Sequence, residues 1–396
     1  MKESKTAMRI FIILTLVLFV TTTSWGNSDK IHISPGGIGF SQKFGNNFVF
    51  AKETSVNPPI LNTHNDSNIV ILKGLRALAG LQDIKYNQIL DKQWSCILHM
   101  ITPCLYEEAQ DMSIFPVGTY PCGVAFDGAN IWIANNGSNS VTKLRVSDGT
   151  VLGTYSVGFN PRGVAFDGTN IWVANTNSNS VTKLRANDGA KLGTYPVGWT
   201  PQLMTFDGVN IWVTNSGSGT VTKLRTSDGV VLGTYAVGDS PKGIVFDGSN
   251  IWVANANSNN VSKLRASDGT TLGAYAVGWM PEWIAFDGTN IWVADYGSGK
   301  VTKLRASDGT ILGNYTVGFY PIGVAFDGYH IWVTNSGSNN VTELRASDGA
   351  LLGIYNVGFN PRGIAYDGAN IWVANYDSNS VTEIASQNNT LPFTRR

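Results

Sequence analysis

The chain has 396 residues, 14% charged, 43% hydrophobic and 11% aromatic, with 28 basic side chains against 28 acidic ones. Zero net charge excludes a general polyanion binder, because a nucleic-acid footprint needs a basic excess. The 44 glycines beside 12 tryptophans exclude a disordered chain, and three cysteines with four histidines leave little for a structural zinc site.

Lys2, Lys5 and Arg9 precede an apolar run over 10–20 and then small residues through Ser24 and Gly26. This order predicts a signal peptide over 1–26 and an exported protein, periplasmic or secreted. The run is short for a bilayer-spanning helix and no later segment reaches that length, so no membrane span is expected. Residues 27–111 follow as an N-terminal region. Phe40, Phe44, Phe48 and Phe50 lie among glycines, which suits β structure or a loop, and 53–68 reads as a polar linker. Leu72, Leu75, Leu78, Leu81 and Ile84 recur at helical spacing and place one or two helices within 69–100. Cys96, Cys104 and Cys122 are an odd set for an exported chain; pairing the first two leaves Cys122 free.

A forty-residue period governs residues 112–386, leaving 387–396 as a tail. Trp132, Trp172, Trp212, Trp252, Trp292, Trp332 and Trp372 each sit in the same sentence. It reads Pro-x-Gly-Val-Ala-Phe-Asp-Gly-x-Asn-Ile-Trp-Val-Ala-Asn, then Val-Thr-Lys-Leu-Arg, Ser-Asp-Gly and Leu-Gly-x-Tyr-x-Val-Gly. In the second copy, 163–166, 170–174, 181–185 and 191–197 are short runs rich in β-formers, separated by turn clusters such as Asp167-Gly168. Four antiparallel strands per forty residues make one propeller blade. Residues 114–118 match a fourth strand that has no other three before it, and the seventh copy stops at its third strand. These complementary ends predict an all-β chain: a seven-bladed β-propeller closed one-plus-three.

Most of the repeat reads as scaffold. The tryptophans are expected to bury their rings between blades. Lys183 and Arg185 are expected as solvated charges neutralised by Asp167 and Asp188, and Asp-Gly-x-Asn as a turn with too few carboxylates for calcium. The copies differ chiefly in the fourth-to-first and second-to-third connections, which share one face of a propeller. The residue after the repeated Pro opens the innermost strand, so Cys122, Arg162, Gln202, Lys242, Glu282, Ile322 and Arg362 should ring the channel mouth. The fifth copy departs most, with Trp279, Met280, Glu282, Trp283, Asp295 and Tyr296. Trp279, Glu282, Trp283, Asp295 and Tyr296 are expected to cluster at one side of the mouth and, with Arg162, Gln202, Lys242 and Arg362, to bind a ligand. The Glu282–Asp295 pair between two tryptophans is the one constellation suited to acid–base work or a hard cation.

The motif at 161–175 resembles the bacterial seven-bladed propellers of the YVTN and NHL type, and also the streptogramin B lyase group. The resemblance covers about 114–385 and is specific for fold rather than activity. The lyases open a cyclic depsipeptide by elimination, with a histidine and a magnesium-binding glutamate on the loop face. Within 112–386 the one histidine is His330, in the first-to-second turn on the opposite face, so no catalytic residue carries over. The reading is an exported monomer without a cofactor, binding a protein, peptide or glycan on its loop face. The alternatives are a lyase-like enzyme using a divalent cation and a purely structural surface protein.

Overall fold

The computed structural model describes residues 112–386 and three strands between 30 and 50. The signal peptide, the helices within 69–100, a Cys96–Cys104 bridge and the tail at 387–396 lie outside the described residues. The chain divides into two units, 1–96 and 97–396. In the first, β1 (Lys30–Ser34), β2 (Gly37–Phe44) and β3 (Asn47–Phe50) form an antiparallel three-stranded sheet.

The second unit is the ring that the period predicts. Blade 1 holds β5 (Pro121–Phe126), β6 (Asn130–Asn135), β7 (Ser140–Arg145) and β8 (Val151–Ser156), running from the channel outward. Blades 2 to 6 repeat this order at forty-residue steps, ending at Asn356. Blade 7 takes β29 (Pro361–Tyr366), β30 (Asn370–Asn375) and β31 (Ser380–Ala385) from the end of the array. Its outer strand is β4 (Met112–Pro116), in which Phe115 lies opposite Val381 and Ser113 opposite Glu383. One-plus-three closure is therefore the observed topology.

Local chemistry explains why each copy folds this way. Gly168 holds φ at 91°, a conformation that costs glycine little. Beside it, Asp167 Oδ1 accepts the amides of Thr169 and Asn170, which closes the turn between the first two strands. Gly163 answers a different need: a Cβ there would stand 2.5 Å from the Gln202 carbonyl oxygen of the next blade. Inner strands approach that closely only without a side chain.

Seven apolar clusters fill the seven blade interfaces. Between blades 1 and 2, Trp132 and Val141 pack on Ile171, Val173 and Leu184, with Tyr155, Val164 and Phe166 at the margin. All seven repeat tryptophans are fully buried, and each such ring removes roughly 150–250 Å² from water. Trp132 stacks on Tyr155 with centroids 5.5 Å apart, and its Nε1 donates to Asp127 Oδ2 at 2.7 Å. Every other blade repeats the Trp–Asp bond. The Asp of the turn thus also satisfies the one polar atom of the buried indole.

The third-strand lysines correct an expectation. Arg185 is exposed and paired with Asp188 at 2.8 Å, as solvated charges would be. Lys183, however, is buried, with Nζ 5.1 Å from the Trp172 ring centroid, and donates to the Thr226 carbonyl of the next blade at 2.6 Å. Lys143, Lys223, Lys263 and Lys303 do the same. The reason is that both faces of an inner or middle strand are covered by neighbouring blades, so alternation does not lead to solvent. Blades 6 and 7 place Glu343 and Glu383 at this position, and different partners meet them. Tyr355 donates to Glu343 at 2.6 Å, and Asn370 donates to Glu383 at 2.8 Å.

Candidate functional site

The fourth-to-first and second-to-third connections meet on one face. In blade 1, the amides of Asn136 and Gly137 donate to the carbonyls of Tyr120 and Thr119. The residue before each repeated Pro is left-handed, with φ between 51° and 54°. Asparagine tolerates this conformation; Tyr120, Thr200, Met280 and Tyr320 hold it at a cost of roughly 1–2 kcal/mol each. At five of these seven residues an asparagine from the preceding blade accepts the amide and clips it in place, as when Asn259 Oδ1 accepts the Met280 amide at 2.9 Å; before Ser240 and Tyr320 that position is Gly219 and Gly299. This left-handed turn presents the side chain before it outward. Phe159, Trp199, Trp279, Phe319 and Phe359 are all more than 60% exposed.

The five fifth-copy residues expected to cluster go to three places instead. Trp279 lies on the rim, its ring against Gly297. Tyr296 is also on the rim but turns to blade 6, stacking on Tyr320 at 4.9 Å and 22°. Tyr296 and Tyr320 line a groove of about 490 Å³ with Asn339, Phe359, Asn360 and Asp377. Glu282 and Trp283 point instead into the channel.

Asp295 enters neither the rim nor the channel. It is fully buried and occupies the slot that asparagine fills in the other six blades. In blade 2, Asn175 Oδ1 accepts the Gly158 amide at 2.9 Å and Nδ2 donates to Thr182 at 2.9 Å. Asp295 keeps the second contact with the roles changed, Oδ2 lying 2.5 Å from Thr302 Oγ1. Burial pushes its carboxyl up to about 7, only partly opposed by Thr302, the Gly278 amide and Lys300. Glu282 is not among its partners, so the expected carboxylate pair does not form. The physical reason is strand geometry: Asp295 ends the second strand and turns into its blade, whereas Glu282 follows Pro281 on the inner strand.

The ring at the channel mouth does form. Arg162 of blade 2 reaches across the opening to Glu282 of blade 5, with Nη2 3.4 Å from Oε2. Arg162 Nη1 also donates to Gln202 Oε1, and Gln202 Nε2 to the Thr200 carbonyl at 3.2 Å. Arg362 lays its guanidinium 3.7 Å from the centroid of Tyr376, which stacks on Tyr120 at 4.9 Å. Burial draws the Lys242 ammonium below its usual range; Glu282 opposes this, while Arg162 and Arg362 add to it. Cys122, expected free at the mouth, is buried there as a free thiol and interacts with Arg162. Below the ring lies a cavity of about 140 Å³ lined by Val124, Val164, Met204, Ile244 and Trp283.

His330 stands at the other end of its strand, since Asn335 marks the loop-face end opposite Pro321. Its Nδ1 lies 3.1 Å from Asp327 and 3.3 Å from Glu343. Burial raises the Glu343 carboxyl, with Tyr355 and His330 partly opposing. Sequence reasoning passed over this cluster and the tyrosine stacks. The signal for the first was Glu343 replacing the repeat's lysine beside His330 replacing its asparagine.

No family model and no curated protein matches the chain. Among solved structures, hydrazine synthase of Kuenenia stuttgartiensis is similar at 21% identity and a TM-score of 0.61, over 68% of this chain and 97% of that one. Streptogramin B lyase is similar at 19% identity and a TM-score of 0.60, over 69% and 96%. U3-55K is similar at 14% identity and a TM-score of 0.63, over 71% and 99%. At these identities the likeness is one of fold. Its shared content is the ring of four-stranded blades, and the chain is a seven-bladed β-propeller repeat protein.

Proposed function

We propose that this propeller is a binding module that receives a glycan, a peptide or a protein segment on its loop face. The observation that carries the reading is where exposed aromatics lie. Of the eight exposed Trp, Tyr and Phe side chains described, seven (Tyr120, Phe159, Trp199, Trp279, Phe319, Tyr320 and Phe359) precede an inner strand on that one face. Only Tyr329 lies elsewhere. Aromatic platforms beside Asn339, Asn360 and Asp377 suit a ligand with apolar faces and polar edges.

The module acts after export in this reading, which rests on the basic and then apolar residues at 2–20. Mass spectrometry of the mature protein should then show a start near Trp25 or Asn27. Glycan and peptide arrays test the binding face itself. The intact chain should capture a ligand class that Trp279→Ala and Phe359→Ala lose while melting unchanged, because both side chains are exposed. Capture that persists unweakened in both variants would remove the loop face from the reading.

A further inference from the structure

We propose that the channel mouth is a site for a small dianionic oxyanion, a phosphate or a dicarboxylate, held by Arg162, Lys242 and Arg362 above Trp283. The proposal rests on the loop face being the binding face and names a second, central ligand for it.

Arg162, Lys242 and Arg362 converge on one opening with Glu282 as the single carboxylate of the ring, an excess of two positive charges. Such a concentration is unfavourable inside a protein unless something offsets it, since buried charges are ordinarily paired. Arg162 has its carboxylate. Among the described residues, neither the Lys242 ammonium nor the Arg362 guanidinium has a hydrogen bond or an ion pair; Arg362 has only the face of Tyr376.

The unmet hydrogen bonding at the channel is all of one sign. Seven buried side-chain atoms among the described residues have no hydrogen-bond partner. Four are oxygens at the buried slot of Asn135, Asn215, Asn255 and Asp295. The other three are N–H donors, Arg162 Nε, Arg362 Nε and Trp283 Nε1, and all belong to inner strands at the channel. Unsatisfied buried donors are uncommon and call for a partner. Three in one place, joined by an ammonium, ask for a ligand that only accepts. An oxyanion has that chemistry, and guanidinium forks match its geometry. A polyanion does not fit, because the cations sit inside a ring instead of along a surface.

The test uses the full chain, titrated calorimetrically with inorganic phosphate and with succinate against chloride at matched ionic strength. Saturable binding of either is expected, phosphate and succinate being the arms that separate the two sources. Lys242→Met and Arg362→Met should each weaken it about tenfold to a hundredfold, the worth of a charged hydrogen bond. Without added anion, Lys242→Met should melt no lower than the parent, since it removes a repelled charge. Lys242→Arg keeps the charge and should retain binding, which guards against a variant that fails to fold. Absence of saturable binding of both anions, or binding that survives both methionine variants, overturns the proposal. Trp279→Ala and Phe359→Ala should leave anion binding intact, so failure of the rim reading and failure of the anion site are separately visible.

Discussion

Asp295→Asn restores the residue of the other six blades, and its effect should depend steeply on pH. The carboxyl titrates near 7 in the folded chain because burial penalises its charge, against about 3.9 when unfolded. The folded state therefore holds the proton more tightly. Stability from the neutral carboxyl is complete below about pH 4 and is lost as pH rises to about 7, where the loss levels off. Roughly three pH units at 1.36 kcal/mol each give a loss on the order of 4 kcal/mol. Thr302 supports a protonated Asp295: its Oγ1 lies 2.5 Å from Asp295 Oδ2 and 2.7 Å from Asn314 Oδ1, and one hydroxyl proton cannot serve both. Asparagine carries no such penalty. Thermal unfolding of both chains from pH 4 to 8 should show equal melting at the acid end. The variant should lead by on the order of 10 °C above pH 7, given about 2–4 °C per kcal/mol for a large domain. Asn215→Asp should import the same slope into blade 3. A melting difference that is flat across this range would refute the reasoning.

Deleting Met112–Pro116 strips the outer strand from blade 7 and bares the edge of β31, so the whole ring should melt lower by calorimetry; a deletion that melts like the parent would contradict one-plus-three closure. Lys263→Met removes an ammonium 4.9 Å from the Trp252 centroid and leaves the Ala306 carbonyl without its donor. It should cost about 1–3 kcal/mol in denaturant unfolding, with little dependence on salt because the lysine is buried.

What the sequence made legible and what it hid have different physical origins. Strand order, blade number and closure are written in the covalent spacing of Trp132 to Trp372 and in the unmatched strands at either end, so they could be read directly. The ring of Arg162, Lys242, Glu282 and Arg362 was legible too, because the residue after Pro occupies one place in every blade. Lys183 was misread because a strand's alternation names two faces without saying that both are covered. Asp295 was misplaced for a related reason: sharing a connection with Tyr296 says nothing about which side of the strand it takes. The contact between Tyr296 and Tyr320 joins blades 5 and 6, and the packing of one blade on the next, which local strand pattern does not specify, brings those loops together.

The strand that β4 lends to blade 7 also has a meaning in time. Six blades are complete as soon as their own forty residues exist. The seventh is assembled from Phe115 and Val381, made at nearly opposite ends of the array. At about 5–20 residues per second, translation separates them by on the order of 10–50 s. Through that interval β4 waits without a partner strand while the other blades stack behind it. The ring then behaves like a clasp with a long strap: its body forms progressively, but its stability as a closed object arrives in a single late event.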